Sequence, residues 1–452
     1  MLTTFTAPAF AKTWYIENGD ITISAGKTEG TNKVSQGSTT DEEDTDTVIT
    51  NNNRDTASSH TVTIDAGNDK VEVTLKDVNI KADSGSALTS NGDVTLTLKG
   101  ENHLTGGSGD TYGGDGITSS GSLTISGGTV TATGGNSTDS VGSGGSGIYS
   151  VSGDVAISGG TVTANGGSGK DGYGGNGISS SNGVAISGGT VTANGGSGNS
   201  SGGNGIRSFD VAISGGTVKA AGGNGKNGNG GNGIIGSGRV AISGGTVNAA
   251  GGDGGNGKDG GYGIISNDID LSGSLELTAK AGSPNGKALS RAGHELDLDD
   301  IKEKLDPGAK VTTTDADGKV IKQVSIPRPV EPEKPVIPEE SSSSSDGGSS
   351  APSAPVSSIP GLTVTDKSGA VISYTSTQSG NTLTVCVGRF TASLRASLST
   401  LRQLRAEGIE TITFQTILCS TTLSVDELLA MGGEDAEAVL THQLTDSSLT
   451  VG

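Results

Sequence analysis

The sequence predicts an all-β protein dominated by a right-handed parallel β-helix, with three strands per coil and a repeat of about 28–29 residues. The first observation is the phrase V-A-I-S-G-G-T-V-x-A, which recurs five times between residues 122 and 252. The second is the phrase G-x-G-I, whose isoleucine returns every 28 to 31 residues. The third is the combination of 79 glycines with β-branched runs, which opposes α-helix. A fixed period of this kind predicts stacked coils.

Two strands of each coil come from the longer phrase. In residues 184–187, Val184 and Ile186 are expected on one side and Ala185 and Ser187 on the other, and in residues 190–193 threonines alternate with small apolar residues. Both patterns have the period of a β-strand. The third strand begins at the isoleucine of G-x-G-I. Because strands this short cannot bury a face alone, equivalent residues of successive coils are expected to stack about 4.8 Å apart. The predicted columns are Val155, Val184, Val211 and Val240; Ile157, Ile186, Ile213 and Ile242; and Val162, Val191, Val218 and Val247.

Segments rich in Gly, Ser and Asn connect the last strand of one coil to the first strand of the next. Residues 195–204 are an example. These segments vary in length while the strands do not, so they are expected to be loops along one edge of the solenoid.

The composition narrows the classes of partner. The net charge of −20 opposes nucleic acid and anionic membranes as direct partners. No run of 18 apolar residues exists, so no membrane insertion is expected. Only 30% of residues are hydrophobic and 3% aromatic, which is lean for a large globular core but sufficient for thin stacked columns. The sequence does not indicate an oligomeric state.

Changes in composition divide the chain into four segments. Residues 1–11 end in Ala-Phe-Ala and are interpreted as the remnant of a secretory signal peptide, so the protein is expected to be secreted or at the cell surface. Residues 12–325 are the predicted β-helix with its capping segment. Residues 326–361 are a Pro/Ser-rich linker that holds eight of the eleven prolines. Residues 362–452 are predicted to form a small α+β domain.

The two ends of the β-helix require caps. Trp14 and Tyr15 are expected to cover the first end, where residues 41–46 form an acidic, solvated loop that can hold calcium weakly. At the other end, residues 298–305 are predicted to form a short helix. Residues 315–318 carry the signal of a hairpin turn. Charged residues become frequent here, as a polar lid on an apolar column requires.

The C-terminal segment has the pattern of a βαβ unit. Residues 383–387 and 409–414 are predicted strands. Between them, leucines at helical spacing begin at Leu394 and predict a helix that ends at Gly408. A parallel pair of strands with a helical crossover is therefore expected.

Two smaller features lie in the same segment. Ser424 and Glu427 have the spacing of a capping box, which predicts a second helix. Cys386 and Cys419 lie on or beside the two predicted strands. In a secreted protein they can form a disulfide, or they can remain free buried thiols.

Several segments occur in an order that resembles a known family. They are residues 73–80, 84–88, 94–104 and 114–117. In this order they are similar to the carbohydrate-binding β-helix domain found in secreted proteins of clostridia and related Firmicutes, a pectin-binding-like family. The resemblance covers about residues 60–282. It implies an extracellular acidic polysaccharide as partner and calcium as cofactor.

The resemblance also implies where a metal would bind. The family often has Asp-Gly-Ile, which this chain has once, at residues 115–117. Residues 166–174 match a calcium-binding nonapeptide once, and a plain glycine-rich loop is the alternative interpretation. The equivalents of the single Asp-Gly-Ile aspartate are Ser146, Asn176, Asn204, Asn232 and Tyr262. The candidate metal ligands at the loop edge are Asp110, Asp115, Asp171 and Asp259.

Tyrosines are the candidate sugar-binding residues. Tyr112 and Tyr173 each precede a G-x-G-I isoleucine by five residues, two coils apart. Exposed tyrosines at a regular height can stack on successive sugar rings. The alternative is that each tyrosine covers its own loop. Tyr149 and Tyr262 complete the candidate set.

The sequence predicts no enzymatic activity. Its four histidines are scattered, without zinc spacing or a nucleophile nearby, and the outward positions of the repeats are Ser, Thr and Ala. The leading hypothesis is therefore a secreted, non-catalytic polysaccharide-binding protein. The alternative is a structural or adhesive surface solenoid that acts as a spacer for an attaching C-terminal domain. A polysaccharide lyase ranks third. The histidines are His60, His103, His294 and His442.

Overall fold

The structure is a computed structural model. It divides into two compact units, Met1–Ile326 and Pro327–Gly452. Most of the predicted signal remnant and of the predicted linker lies outside the described residues. Within them, no helix is long and apolar enough to cross a membrane. The described residues are 11–138, 142–327, 361–366, 371–372, 374–387, 389, 391–416, 420–431, 436–443 and 446–451.

The first unit is a parallel β-helix, as the repeats predict. Its strands stack into three ladders, which we call the first, second and third faces in their order within each repeat, beginning at the G-x-G-I isoleucine. Ile148 pairs with Ile178 on the first face, and Val155 with Val184 on the second. On the third face, the strand that contains Val162 pairs with the next coil in the same register. The predicted columns are confirmed, and every member is buried.

Short strands alternate with five long ones that continue across a corner. First-face strands are Ile21–Ala25, Ile117–Ser119, Ile148–Ser150, Ile178–Ser180, Ile206–Ser208 and Leu289–Arg291. Second-face strands are Thr13–Tyr15, Val48–Thr50, Val155–Ile157, Gly183–Ile186 and Asp210–Ile213. Third-face strands are Asn79–Lys81, Thr161–Asn165, Thr190–Asn194, Thr217–Ala221, Thr246–Ala250, Glu276–Lys280 and Lys310–Thr314. The long strands are Val62–Lys76, Leu88–Thr105, Leu123–Thr133, Ile234–Ile242 and Ile264–Leu271.

The Gly-Gly pair of the repeat makes the corner between the second and third faces. At Gly160 and Gly189 the second glycine of the pair has φ of 74° and 77°. Only glycine adopts this left-handed region at no steric cost. The corner turns in the same way at Gly160, Gly189, Gly216 and Gly245, which keeps both faces in register over these coils.

The N-terminal end is closed differently from the prediction. Trp14 is buried, as a cap should be, but the side chain of Tyr15 is 37% exposed. Residues 41–46 are exposed at four of six positions, as a solvated segment should be, but residues 41–44 belong to a strand and not to a loop. Thr39–Asp44 is a strand that pairs antiparallel with Asn32–Gln36 and extends the first face. Asp44 is fully buried at its end, where its carboxylate accepts hydrogen bonds from Trp14 and from the backbone of Lys12.

At the C-terminal end, one prediction is confirmed and one is wrong. Lys310–Thr314 and Val320–Ser325 form the expected antiparallel hairpin. The predicted helix over 298–305 is only a 3-10 turn at Lys302–Lys304. The side chain of Asp297 accepts a hydrogen bond from the backbone of Asp299, a local turn that competes with a helix. A short strand, His294–Glu295, completes this end.

The second unit has two sheets and two described helices. The expected parallel pairing of Thr382–Cys386 with Thr411–Gln415 is confirmed. One sheet contains Val371–Ile372, Leu362–Thr365, Thr391–Ser397, Glu437–Gln443 and Asp446–Val451, and the other contains Thr375–Ser379, Thr382–Cys386, Thr411–Gln415 and Ser420–Ser424. The helices are Leu398–Ala406 and Val425–Met431.

Two details of this unit differ from the sequence interpretation. The first helix does not begin at Leu394, because Thr391–Ser397 is a strand with alternating burial and Ser397 caps the helix. Ser424 does accept a hydrogen bond from the backbone of Glu427, as a capping residue should. Cys386 has a free thiol, and burial raises its pKa. Cys419 lies outside the described residues.

Candidate functional site

The glycine-rich connections form ordered pairs of arms, one leaving the third face and one returning to the first. We call these pairs the glycine arms. The backbone N–H of Gly196 donates to Gly175, and the N–H of Gly203 donates to Gly196, both at 2.8 Å. The same zigzag of hydrogen bonds links arms of every coil from the third onwards. Its members are Gly85, Gly107, Gly114, Gly135, Gly145, Gly167, Gly175, Gly196, Gly203, Gly223, Gly231, Gly252, Gly261 and Gly282.

Glycine is required here because the arms touch through their backbones. A Cβ atom on Gly196 would lie 2.0 Å from the carbonyl oxygen of Gly167, and one on Gly203 would lie 1.9 Å from that of Gly175. No side chain fits at such distances. The arms therefore form a tightly packed layer that presents the residues between the glycines as fixed rows.

One such row contains two of the predicted tyrosines. Gly113 donates to the carbonyl of Ser143, and Gly144 donates to that of Tyr173, both at 3.0 Å. Tyr112, Ser143 and Tyr173 therefore occupy equivalent positions of three consecutive coils. Tyr112 is 73% exposed and Tyr173 is 59% exposed. Two coil heights separate the two tyrosines, which is roughly 10 Å along the axis.

The other two predicted tyrosines lie in different rows. Tyr149 is at the centre of a first-face strand, between Thr118 and Ser179 of the neighbouring coils, and is half-buried. Tyr262 is also half-buried, and its backbone N–H donates to the side chain of Asn232. The structure therefore brings together Tyr112 and Tyr173 only, and we call these two residues with Ser143 the tyrosine row.

Asp115 has structural hydrogen bonds on both carboxylate oxygens. One oxygen accepts from the backbone N–H of Ser146 at 2.6 Å, and the other accepts from the hydroxyl of Thr118 at 2.7 Å. Burial raises the pKa of this carboxyl, although both hydrogen bonds act in the opposite direction. Asp115 thus joins two coils at the root of an arm.

In later coils, asparagine takes the place of this aspartate and makes the same link. The side-chain oxygen of Asn176 accepts from the backbone and side-chain nitrogens of Asn204, at 2.9 and 3.0 Å. Asn204 accepts from Asn232 in the same way. The amide supplies both an acceptor and a donor, so each coil is bonded to the next without a charge.

The remaining predicted metal ligands lie apart from one another. Asp110 accepts a hydrogen bond from Thr138, Asp171 from Asn199, and Asp259 from Asn285. Across the described ranges, no three His, Cys, Asp or Glu side chains lie close enough to hold a metal ion. Among the described residues, the structure therefore does not bring the four predicted metal ligands together.

The structure also assembles a polar cleft that the sequence interpretation missed. The cleft has a volume of about 130 Å³ and lies on the third face near the N-terminal end. His103 pairs with Asn79 of the preceding coil, and Glu101 is two residues before it on the same strand. The loop that precedes Ser58 supplies the rest of the wall. We call this site the polar cleft, and its lining residues are Arg54, Asp55, Asn79, Glu101 and His103.

The missed residues had one visible signal. The regular repeats carry threonine where this coil carries Glu101 and His103, since these two residues pair with Thr129 and Thr131. A departure from a repeat at two adjacent outward positions could have marked the site.

Comparison with known proteins supports the fold and leaves the ligand open. Residues 123–147, 155–181 and 184–205 match the family described as Beta helix repeat. No curated protein and no solved structure matches the chain. The matched residues include three consecutive coils of the second and third faces, so the chain is similar to beta-helix repeat proteins over this region.

Proposed function

We propose that this chain is a non-catalytic, polysaccharide-binding solenoid that works outside the cell, and that the glycan lies along the tyrosine row. The observation that carries the proposal is the alignment of two highly exposed tyrosines on one rigid row of the glycine arms. Aromatic rings present a flat apolar face with a polar hydroxyl, a combination that suits the alternating apolar and hydroxylated surface of a sugar chain. The row is parallel to the solenoid axis, so an extended ligand can contact several coils.

The packing of the arms supports binding without rearrangement. The backbone hydrogen bonds on either side of Tyr173, through Gly144 and Gly174, measure 3.0 and 2.9 Å. A row that is already ordered loses little conformational entropy when a ligand binds. The same reasoning favours an extended ligand over a small one, because Tyr112 and Tyr173 offer two similar contacts two coils apart.

Calcium enters this proposal only as a shared ion. Asp110 and Asp259 are exposed carboxylates at the loop edge, whereas both oxygens of Asp115 are already hydrogen-bonded. An ion at either exposed aspartate would need further oxygen ligands, which the carboxylates of an acidic glycan can supply. Under this proposal, chelation weakens binding of acidic polysaccharide and leaves binding of neutral polysaccharide unchanged.

The test is affinity electrophoresis of the full-length protein through gels that contain an acidic or a neutral polysaccharide, with and without chelator. Tyr112→Ala and Tyr173→Ala should each weaken retardation by roughly twofold to tenfold, because each removes one stacking contact. Phe209→Ala is the matched control, since Phe209 is 54% exposed but lies outside the glycine arms. An assay for new reducing ends in the same polysaccharides tests the absence of catalysis.

Two outcomes would count against the proposal. Equal retardation of wild type and both tyrosine variants would remove the tyrosine row as the binding surface. Absence of retardation in every gel, from folded protein, would favour the alternative of a structural spacer whose second unit makes the attachment.

A further inference from the structure

We propose that the polar cleft is a second, separate ligand site that binds the hydroxyl groups of a single neutral sugar unit. The inference concerns a site outside the tyrosine row. It rests on the proposed function only in assuming that the protein meets carbohydrate. Its own basis is the convergence of donors and acceptors around one cleft on the third face.

The walls of the cleft are held in place by the backbone and by one pair of asparagines. Glu101 and His103 lie on a strand that pairs with neighbours on both sides. The loop wall is fixed by Asn51, whose side chain accepts from and donates to the backbone of Asn79 at 2.7 and 3.2 Å. The side-chain nitrogen of Asn79 then donates to the carbonyl of Arg54 at 2.7 Å. The backbone of both walls is therefore ordered before a ligand arrives, which favours binding.

The functional groups of the cleft are available to a ligand. Among the described residues, the side chains of Asp55, Glu101 and His103 have no hydrogen-bond or ion-pair partner. The guanidinium of Arg54 is 64% exposed and makes only a long ion pair of 3.9 Å with Asp77. Three polar side chains without a partner and one weakly paired guanidinium thus face a single space.

The chemistry of these groups selects the ligand class. A sugar hydroxyl donates one hydrogen bond and accepts others, so it can donate to the carboxylate of Asp55 or Glu101 while it accepts from Arg54. An anion is disfavoured, because Asp55, Glu101 and the nearby Asp77 outnumber the single guanidinium. A metal ion is disfavoured within the described region, since no three ligating side chains are close enough to hold one.

The size of the cleft limits the ligand further. Sites for drug-sized ligands begin at roughly 300 Å³, and this cleft measures about 130 Å³. It accommodates one edge of a sugar ring and not a chain of rings. A terminal or branching unit of a glycan is the kind of group that presents such an edge.

Histidine NMR provides a direct test, because the chain has only four histidines. Full-length protein with histidine-selective isotope labelling is titrated with glucose, galactose, mannose, xylose and N-acetylglucosamine at millimolar concentrations. The ring signal of His103, assigned from a His103→Gln sample, should shift saturably with at least one sugar. The signal of His294, which is exposed on another strand, should not move and is the internal reference.

Variants separate this site from the tyrosine row. Glu101→Gln keeps the shape of the side chain but removes the charge on the acceptor, and it should weaken the sugar by about tenfold. Tyr112→Ala with Tyr173→Ala should leave the His103 titration unchanged, even where it abolishes polysaccharide retardation.

Three results would overturn the inference. The first is a His103 signal that responds to no sugar more than the His294 signal does. The second is an unchanged titration in Glu101→Gln. The third is a response of His103 to calcium or sulfate in place of sugar, which would make the cleft an ion site. None of these results bears on retardation by the tyrosine row, so the two proposals fail separately.

Discussion

Substitution of one arm glycine, Gly196→Ala, tests whether the glycine arms are a packed layer or loose loops. The added methyl carbon would lie 2.0 Å from the carbonyl oxygen of Gly167, at least 1 Å closer than real Cβ contacts allow. The obstacle is backbone on a neighbouring coil and not a flexible side chain. The arm at Gly196 must therefore move away from its neighbour.

The size of the effect follows from the hydrogen bonds that this movement breaks. The N–H of Gly196 donates to Gly175, and its carbonyl accepts from Gly203, both at 2.8 Å. Each lost hydrogen bond costs about 0.5–1.5 kcal/mol, and a buried amide left without a partner costs about 1–3 kcal/mol. We therefore expect the free energy of unfolding to fall by roughly 2–5 kcal/mol, less the small gain from restricting the unfolded chain.

The measurement is urea unfolding followed by fluorescence of Trp14, the only tryptophan and part of the β-helix core. Hydrogen exchange of peptides that cover residues 190–205 shows in addition whether the arm itself opens. Gly159→Ala is the matched control, because nothing lies within 4 Å of its Cβ position. The reasoning is refuted if both variants unfold at the same urea concentration and the arm amides exchange at the wild-type rate.

Three further predictions concern other polar groups. Asp115→Asn should change the free energy of unfolding by less than about 1 kcal/mol, whereas Asp115→Ala should lower it by about 1–3 kcal/mol. Of the two replacements, only asparagine keeps an acceptor for the backbone N–H of Ser146. Equal losses of the two variants in urea unfolding would contradict this. Trp14→Phe leaves the buried carboxylate of Asp44 without its indole donor and should lower the free energy of unfolding by about 1–3 kcal/mol. The double variant Trp14→Phe/Asp44→Asn should recover part of this stability. Thermal unfolding followed by circular dichroism measures both variants. Burial lowers the pKa of His442, so the unfolded chain takes up a proton first and the second unit should lose stability as pH falls below about 6.5. His442→Gln should flatten that dependence in urea titrations at several pH values, and an unchanged slope would show that another group is responsible.

The β-helix itself could be predicted because its signal is repeated. Each inward position occurs five times in the repeats with a similar apolar residue. The burial of Ile157 and its equivalents agrees with this alternation in the sequence. The corner at Gly160 was equally visible, since a Gly-Gly pair recurs at a fixed distance from the strands. Repetition turns a weak local preference into a reliable prediction.

Features that depend on a single contact could not be predicted. Asp44 looks like part of a solvated acidic segment until the indole of Trp14 is placed beside it, 30 residues away in sequence. The order of the glycine arms was hidden for a different reason, because a glycine-rich composition is typical of flexible loops. Only the spacing between coils shows that these glycines are needed for backbone contact.

The polar cleft shows where a solenoid of this kind can acquire a function. The outward positions of the third face carry Thr129, Thr161 and Thr190 in successive coils, and hydroxyls in register are compatible with any number of further coils. Glu101 occupies the same row one coil earlier, where it interrupts the pattern beside a register shift of the ladder between Gly127 and Thr129. Because outward side chains do not fill the packed core, their positions can vary at little cost in stability. The groups that line the polar cleft therefore lie where the outward repeat is broken.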